Sequence, residues 1–127
     1  MNNKVTGLGG VFFKVNNPEK TREWYKEHLG IESETWGAQF PWRNFENPDE
    51  IGNSLWNPFK MQSTYFEPSD KPFMINYIVE NLVELLEELK QQGVEALGKM
   101  HEDEFGKFAW IMDPDGQKLE LWEPPKA

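Results

Sequence analysis

Phe108-Ala109-Trp110-Ile111-Met112-Asp113-Pro114-Asp115-Gly116-Gln117-Lys118-Leu119-Glu120-Leu121-Trp122-Glu123-Pro124 is the passage from which the architecture follows. Phe108 to Met112 reads as an aromatic strand and Asp113-Pro114-Asp115-Gly116 as a tight turn. Lys118 to Trp122 reads as a second strand, with one carboxylate between two leucines. Similar words occur earlier in the chain. Phe40-Pro41-Trp42 matches Phe108-Ala109-Trp110, and Ser54-Leu55-Trp56-Asn57-Pro58 matches Glu120-Leu121-Trp122-Glu123-Pro124. The chain therefore reads as a duplicated module, and the echo sets Glu120 against Ser54 in the other copy.

The elements upstream of each echo agree with a duplication. Leu8 to Val15 alternates as a strand, and Asn16-Asn17-Pro18-Glu19 opens a helix with an asparagine cap, a first-turn proline and an acid near the positive end. This helix carries Trp24, Tyr25 and Leu29 on its inner side and stops at Gly30. Short strands are predicted at Ile31 to Trp36, Gln39 to Asn44 and Ser54 to Trp56, with Asn47 to Asn53 a loop. The order then restarts. Met74 to Val79 is a strand, and Glu80-Asn81 caps a helix whose Leu82, Leu85, Leu86 and Leu89 recur at helical spacing until Gly93. Strands near Ala96 to Met100, Phe108 to Met112 and Lys118 to Trp122 complete a second β-α-β-β-β unit. Two modules, about 5–62 and 70–125, make one domain over 1–127, joined by Tyr65 to Pro72. Neither half can cover its own sheet, so the two must pack together within a chain or by exchange between chains.

Composition narrows the function. A chain of 127 residues supports one core, and the absence of cysteine excludes disulfides, thiol catalysis and thiolate metal sites. The net charge of −9 opposes nucleic acid and anionic membrane as partners and suits a cationic ligand. No apolar run is long enough to span a bilayer, and the opening Met1 to Thr6 lacks a signal-peptide stretch, so a cytoplasmic location is expected. Six tryptophans and nine phenylalanines exceed what so small a core readily holds, which points to an aromatic cavity or interface.

The paired β-α-β-β-β order, the strand–Asn-Pro-Glu–helix–Leu29-Gly30 opening and the Asp113-Pro114-Asp115-Gly116 to Glu120-Leu121-Trp122 ending together resemble the vicinal oxygen chelate superfamily. That group includes glyoxalase I, extradiol dioxygenases, and fosfomycin- and bleomycin-resistance proteins. The resemblance covers nearly the whole chain. It implies an α+β fold of two tandem βαβββ modules forming a cupped mixed sheet with helices outside. In metal-dependent members, four inward positions hold the ion, one on the first and one on the last strand of each module. Aligned here they fall on Gly10, Ser54, Met74 and Glu120. Only Glu120 suits a hard divalent ion, because glycine offers no side chain, methionine a soft sulfur and serine a weak hydroxyl. One carboxylate is not a chelate. No cofactor is therefore expected, and a divalent metal would need a non-standard ligand set.

Neither histidine repairs that set. His28 closes the first helix, where a cation suits the negative terminus, and His101 lies in a loop of the second module, where it offers one candidate ligand contact. If the four family positions face inward, alternation places Phe12, Lys14, Trp56, Asn76, Lys118 and Trp122 beside them. The greasier set, Val11, Phe13, Val15, Ile75, Tyr77, Val79, Leu119 and Leu121, then packs under the helices. The expected ligand-binding residues are Phe12, Trp42, Ser54, Trp56, Met74, Asn76, Trp110, Glu120 and Trp122, with Glu120 the candidate acid or base. Three functions remain open. The first is a metal-independent binder of a small aromatic or cationic molecule, similar to the bleomycin-resistance branch. The second is a glyoxalase- or dioxygenase-like enzyme (a lyase or oxidoreductase) with unusual ligands. The third is an interaction module that forms a homodimer.

Overall fold

The computed structural model describes residues 5–126; Met1–Lys4 and Ala127, including most of the opening behind the cytoplasmic expectation, lie outside them. The elements are β1 (Val5–Val15), α1 (Pro18–Leu29), β2 (Ala38–Arg43), β3 (Ile51–Lys60), β4 (Phe73–Val79), α2 (Leu82–Gln91), β5 (His101–Asp103), β6 (Gly106–Met112) and β7 (Lys118–Glu123). All seven strands belong to one open sheet in the order β2-β3-β1-β4-β7-β6-β5. β1 runs parallel to β3 and β4 parallel to β7, while the other neighbours are antiparallel. The two halves join edge to edge where β1 pairs with β4, so within this chain one sheet is continuous. Among the described residues, no helix is long and apolar enough to cross a membrane.

Local chemistry places both helices where the sequence puts them. The Asn17 side chain accepts from the Lys20 amide at 3.1 Å, Pro18 occupies the first turn, and Gly30 ends α1 at φ 73. Asn81 caps α2 in the same way, accepting from the Glu84 amide at 3.1 Å and donating back to its carboxylate at 2.7 Å. The Asp113 carboxylate accepts from the Asp115 and Gln117 amides, at 2.8 and 2.9 Å, and so fastens the turn between β6 and β7.

The helices differ in what they cover. α2 buries Leu82 and Leu85 against Val79, Ala109, Ile111 and Leu121, with Leu86 and Leu89 packed alongside. α1 buries no residue fully. Its Tyr25 ring meets Trp56 at 5.0 Å, but Trp24 and Leu29, expected on the inner side, are 53% and 61% exposed. Of the set expected beneath the helices, Val11 is also exposed.

Two predicted strands are absent. Ile31 to Trp36 makes only a bridge, where Glu34 and Gly37 exchange backbone hydrogen bonds of 2.9 Å. β2 is thereby left at the sheet edge, a place that accepts Pro41 without an N–H. Ala96 to Met100 is irregular, interrupted by Gly98 at φ 72, and the pairing strand is His101–Asp103 instead. The first half is therefore β-α-β-β, and the second has the full expected order. β3 is longer than predicted and takes in Ile51, Gly52 and Asn53, which composition assigned to a loop.

Candidate functional site

The sheet register defines the site's frame. Gly10 pairs with Asn76, Val11 with Ile75 and Phe12 with Met74, so a local twofold relates β1 to β4 and makes Gly10 equivalent to Met74 and Phe12 to Asn76. The parallel partners extend the relation: Phe12 pairs with Asn57, and Asn76 with Glu120. The counterpart of Glu120 is therefore Asn57, three residues beyond Ser54. The echoed words are out of register in space. Leu55 packs with Phe12 and Met74 on the side away from the helices, whereas Leu121 lies in the cluster beneath α2. An odd displacement in a strand exchanges its two faces, so Trp56 and Trp122 point to opposite sides.

Glu120 is 2% exposed on the helix-free face. Its Oε1 accepts from Asn76 Nδ2 at 2.6 Å, and its Oε2 accepts from Trp110 Nε1 at 2.8 Å and from the Tyr65 hydroxyl. β4, β7 and β6 are consecutive strands, so Asn76, Glu120 and Trp110 form one row across the sheet. The carboxylate is buried with donors on both oxygens, which is the condition under which a charge is tolerated inside a protein. Asn76 is 1% exposed, and the space beside it depends on Gly9: a Cβ there would lie 2.1 Å from Asn76 Oδ1 and 2.8 Å from the Trp122 ring.

The segment between the halves covers this row. Phe66, fully buried, packs with Phe12 and Met74, with Leu55, Phe59 and Trp110 around them. Tyr65 stacks on Phe59 at 5.7 Å and 22°, and its ring stands edge-on to Trp110 at 6.2 Å and 89°. Lys118 Nζ lies 5.4 Å above the Tyr65 ring, 5.6 Å above Trp110, and donates to the Tyr65 carbonyl at 2.7 Å. Burial, then the adjacent Glu120 charge, pushes the Tyr65 phenol above its ordinary range, so it stays a proton donor. Burial draws the Lys118 ammonium below its ordinary value, against the pull of Glu120. Composition assigned Tyr65 to a linker, and no periodicity marked it as part of a site.

The structure brings Phe12, Met74, Asn76, Trp110 and Glu120 together, with Trp122 on the same face stacked on Phe108 at 6.0 Å. It separates the rest. Trp56 contacts Phe13 and Tyr25 on the helix side. Trp42 donates to Ser54 Oγ at 2.9 Å, and that hydroxyl donates to the Leu8 carbonyl at 2.6 Å, so Ser54 is spent on β1 and β2. His28 packs on exposed Trp24, and His101 pairs with Asp103 at 2.8 Å on edge strand β5. An open groove of about 540 Å³, lined by Lys14, Asn17, Lys20, Trp24 and Met61, is formed by none of these site residues.

A divalent metal does not fit the family positions. Gly10 has no donor, Met74 is buried among rings, Ser54 is engaged on the other side, and Glu120 already accepts from three donors. Among the described residues, no three His, Asp or Glu side chains gather in a metal-binding group.

Known structures share this fold at low sequence identity. Methylmalonyl-CoA epimerase from Mycobacterium tuberculosis matches with 18% identity and a TM-score of 0.61, over 96% of this chain and 90% of that one. A variant of the Streptomyces coelicolor methylmalonyl-CoA epimerase, in complex with 2-nitronate-propionyl-CoA, matches with 12% identity and a TM-score of 0.68. It covers 97% of this chain and 100% of its own. The Mn(II)-bound glyoxalase from Novosphingobium aromaticivorans matches with 14% identity and a TM-score of 0.60, over 94% of this chain and 39% of that one. No family model and no curated protein matches the sequence. The chain has a glyoxalase-like fold.

Proposed function

We propose that this protein binds a small aromatic or cationic molecule without a metal, on the helix-free sheet face centred on Glu120. One observation carries the reading. The face holds a single buried carboxylate with neutral donors on both oxygens, set among Phe12, Phe59, Tyr65 and Trp110. Such an arrangement orients a ligand by one polar anchor and holds it by ring contacts, as small-molecule sites generally do.

Titration with aromatic amines and phenols, followed by tryptophan fluorescence, tests the reading, since Trp110 touches the anchor. The expected result is saturable quenching that Glu120→Gln abolishes while circular dichroism stays native. Equal binding by that variant would remove Glu120 from the site. A chelator is expected to leave the melting temperature unchanged, and a stoichiometric transition metal whose removal lowers it would overturn the metal-free reading.

A homodimer is the second reading. Leu8, Val11 and Phe40 are 54%, 41% and 46% exposed on strands of the first half, where α1 leaves sheet uncovered. Sedimentation velocity distinguishes the two, because a monomer that still binds aromatics satisfies only the first.

A further inference from the structure

We propose, resting on the binding reading above, that Tyr65 is a built-in occupant of the ligand's place, and that the ligand is a small neutral hydroxyaromatic molecule that displaces the phenol ring. Tyr65 already makes the contacts a free phenol would need. Its ring lies on Phe59, meets the edge geometry of Trp110, sits beneath the Lys118 ammonium and donates its hydroxyl hydrogen bond to Glu120. Two neighbouring residues of one segment have different standing. Phe66 is fully buried and belongs to the core, whereas Tyr65 is 39% exposed and lies over the anchor like a stopper.

Tyr65 can leave without unfolding the segment. Its amide donates to Ser63 Oγ at 3.2 Å, its carbonyl accepts from Lys118, and the following turn is closed by Ser69 donating to the Phe66 carbonyl at 2.9 Å. Rotation about the side-chain bonds alone opens the position. When it opens, Asn76 and Trp110 still donate to Glu120, and one acceptor site on Oε2 is released.

Charge selects the class of ligand. Lys118 stands over both rings of the position and feels the Glu120 carboxylate, so the cation that this anchor attracts is already present. An entering ammonium would meet Lys118 at close range. A neutral hydroxyl supplies the donor without that repulsion, and an electron-rich ring gains the cation above its face. The occupied state also weakens binding, since the apparent dissociation constant rises as the open fraction falls.

The probes are 4-methylphenol, toluene and benzylammonium, titrated into the wild-type chain and into Tyr65→Ala by tryptophan fluorescence. The expected result is binding of 4-methylphenol to Tyr65→Ala about tenfold or more tighter than to wild type, as removal of an internal competitor requires. Toluene and benzylammonium should bind more weakly than 4-methylphenol. On the wild-type chain, ring-labelled tyrosine NMR should show the Tyr65 resonance moving towards that of free tyrosine as 4-methylphenol saturates. This arm stands even if Tyr65→Ala does not fold. Saturation with the Tyr65 resonance unmoved overturns the displacement and leaves the binding reading intact. Tighter binding of benzylammonium overturns the ligand class. No binding of any probe, to either protein, at millimolar concentration overturns both.

Discussion

Asn57 and Glu120 occupy equivalent places in the two halves, each the parallel partner of a residue related by the β1–β4 twofold. Their hydrogen bonding differs. Glu120 is buried with three donors, whereas the side-chain oxygen of Asn57 is buried with no hydrogen-bond partner among the described residues. The helices repeat the contrast: similar asparagine caps start both, yet α2 seals a core and α1 buries no residue fully, with its Tyr25 ring against Trp56. The two halves thus share a backbone frame more closely than its contents. One half concentrates stability and the polar anchor, and the other is free to present surface.

The helix contrast makes the largest prediction. Leu82→Ala should cost about 2–5 kcal/mol in urea unfolding, because Leu82 is fully enclosed, while Trp24→Ala should stay within about 0.5 kcal/mol. Similar costs would mean that α1 is covered in solution by something else. Glu120→Ala should cost about 2–3 kcal/mol by leaving the Asn76 and Trp110 donors unpaired, and Asn57→Ala less than about 1 kcal/mol, since its oxygen bonds nothing. Equal costs would abolish the distinction between the two mates. Asn81→Ala should cost about 1 kcal/mol and Asn17→Ala no more, as each releases one capped amide.

The smallest effect is alkaline. The folded chain holds the Tyr65 proton above the ordinary value of 10.0, so the unfolded chain loses it first. Stability from this group is complete below that pH and declines as pH rises above it. The melting temperature of the wild type should fall faster than that of Tyr65→Phe on going from about pH 9 to 11. Parallel curves would show that the phenol is not held as described.

Most of the frame was legible in the chain. Capping residues, turn chemistry and two leucine or aromatic periodicities located seven of the elements near their observed bounds, because these are short-range effects. The first-strand equivalence of Gly10 and Met74 also follows from distances to the helix caps. The exceptions have physical causes. Ile31 to Trp36 makes only the local Glu34–Gly37 bridge and pairs with no strand of the sheet. The helical stripe of α1 names Trp24 and Leu29, but the assembled chain leaves both more than half exposed.

The site was half legible. Phe12, Met74, Asn76, Trp110, Glu120 and Trp122 share the expected face, while Trp56, Ser54 and Trp42 do not. A word match of Leu-Trp in two strands carries no information about which neighbour each strand takes, and a three-residue shift in register reverses every side chain. Tyr65 illustrates the larger limit. It lies 55 positions from Glu120 along the chain, in a segment of prolines and polar residues without periodicity. Sequence alone established the caps, the turn and the solitary carboxylate, since each is written in neighbouring residues. Which face that carboxylate shares, and that the chain's own phenol lies on it, depended on long-range strand register and the path of a loop, which hydrogen bonding and packing settle only when the whole sheet is assembled.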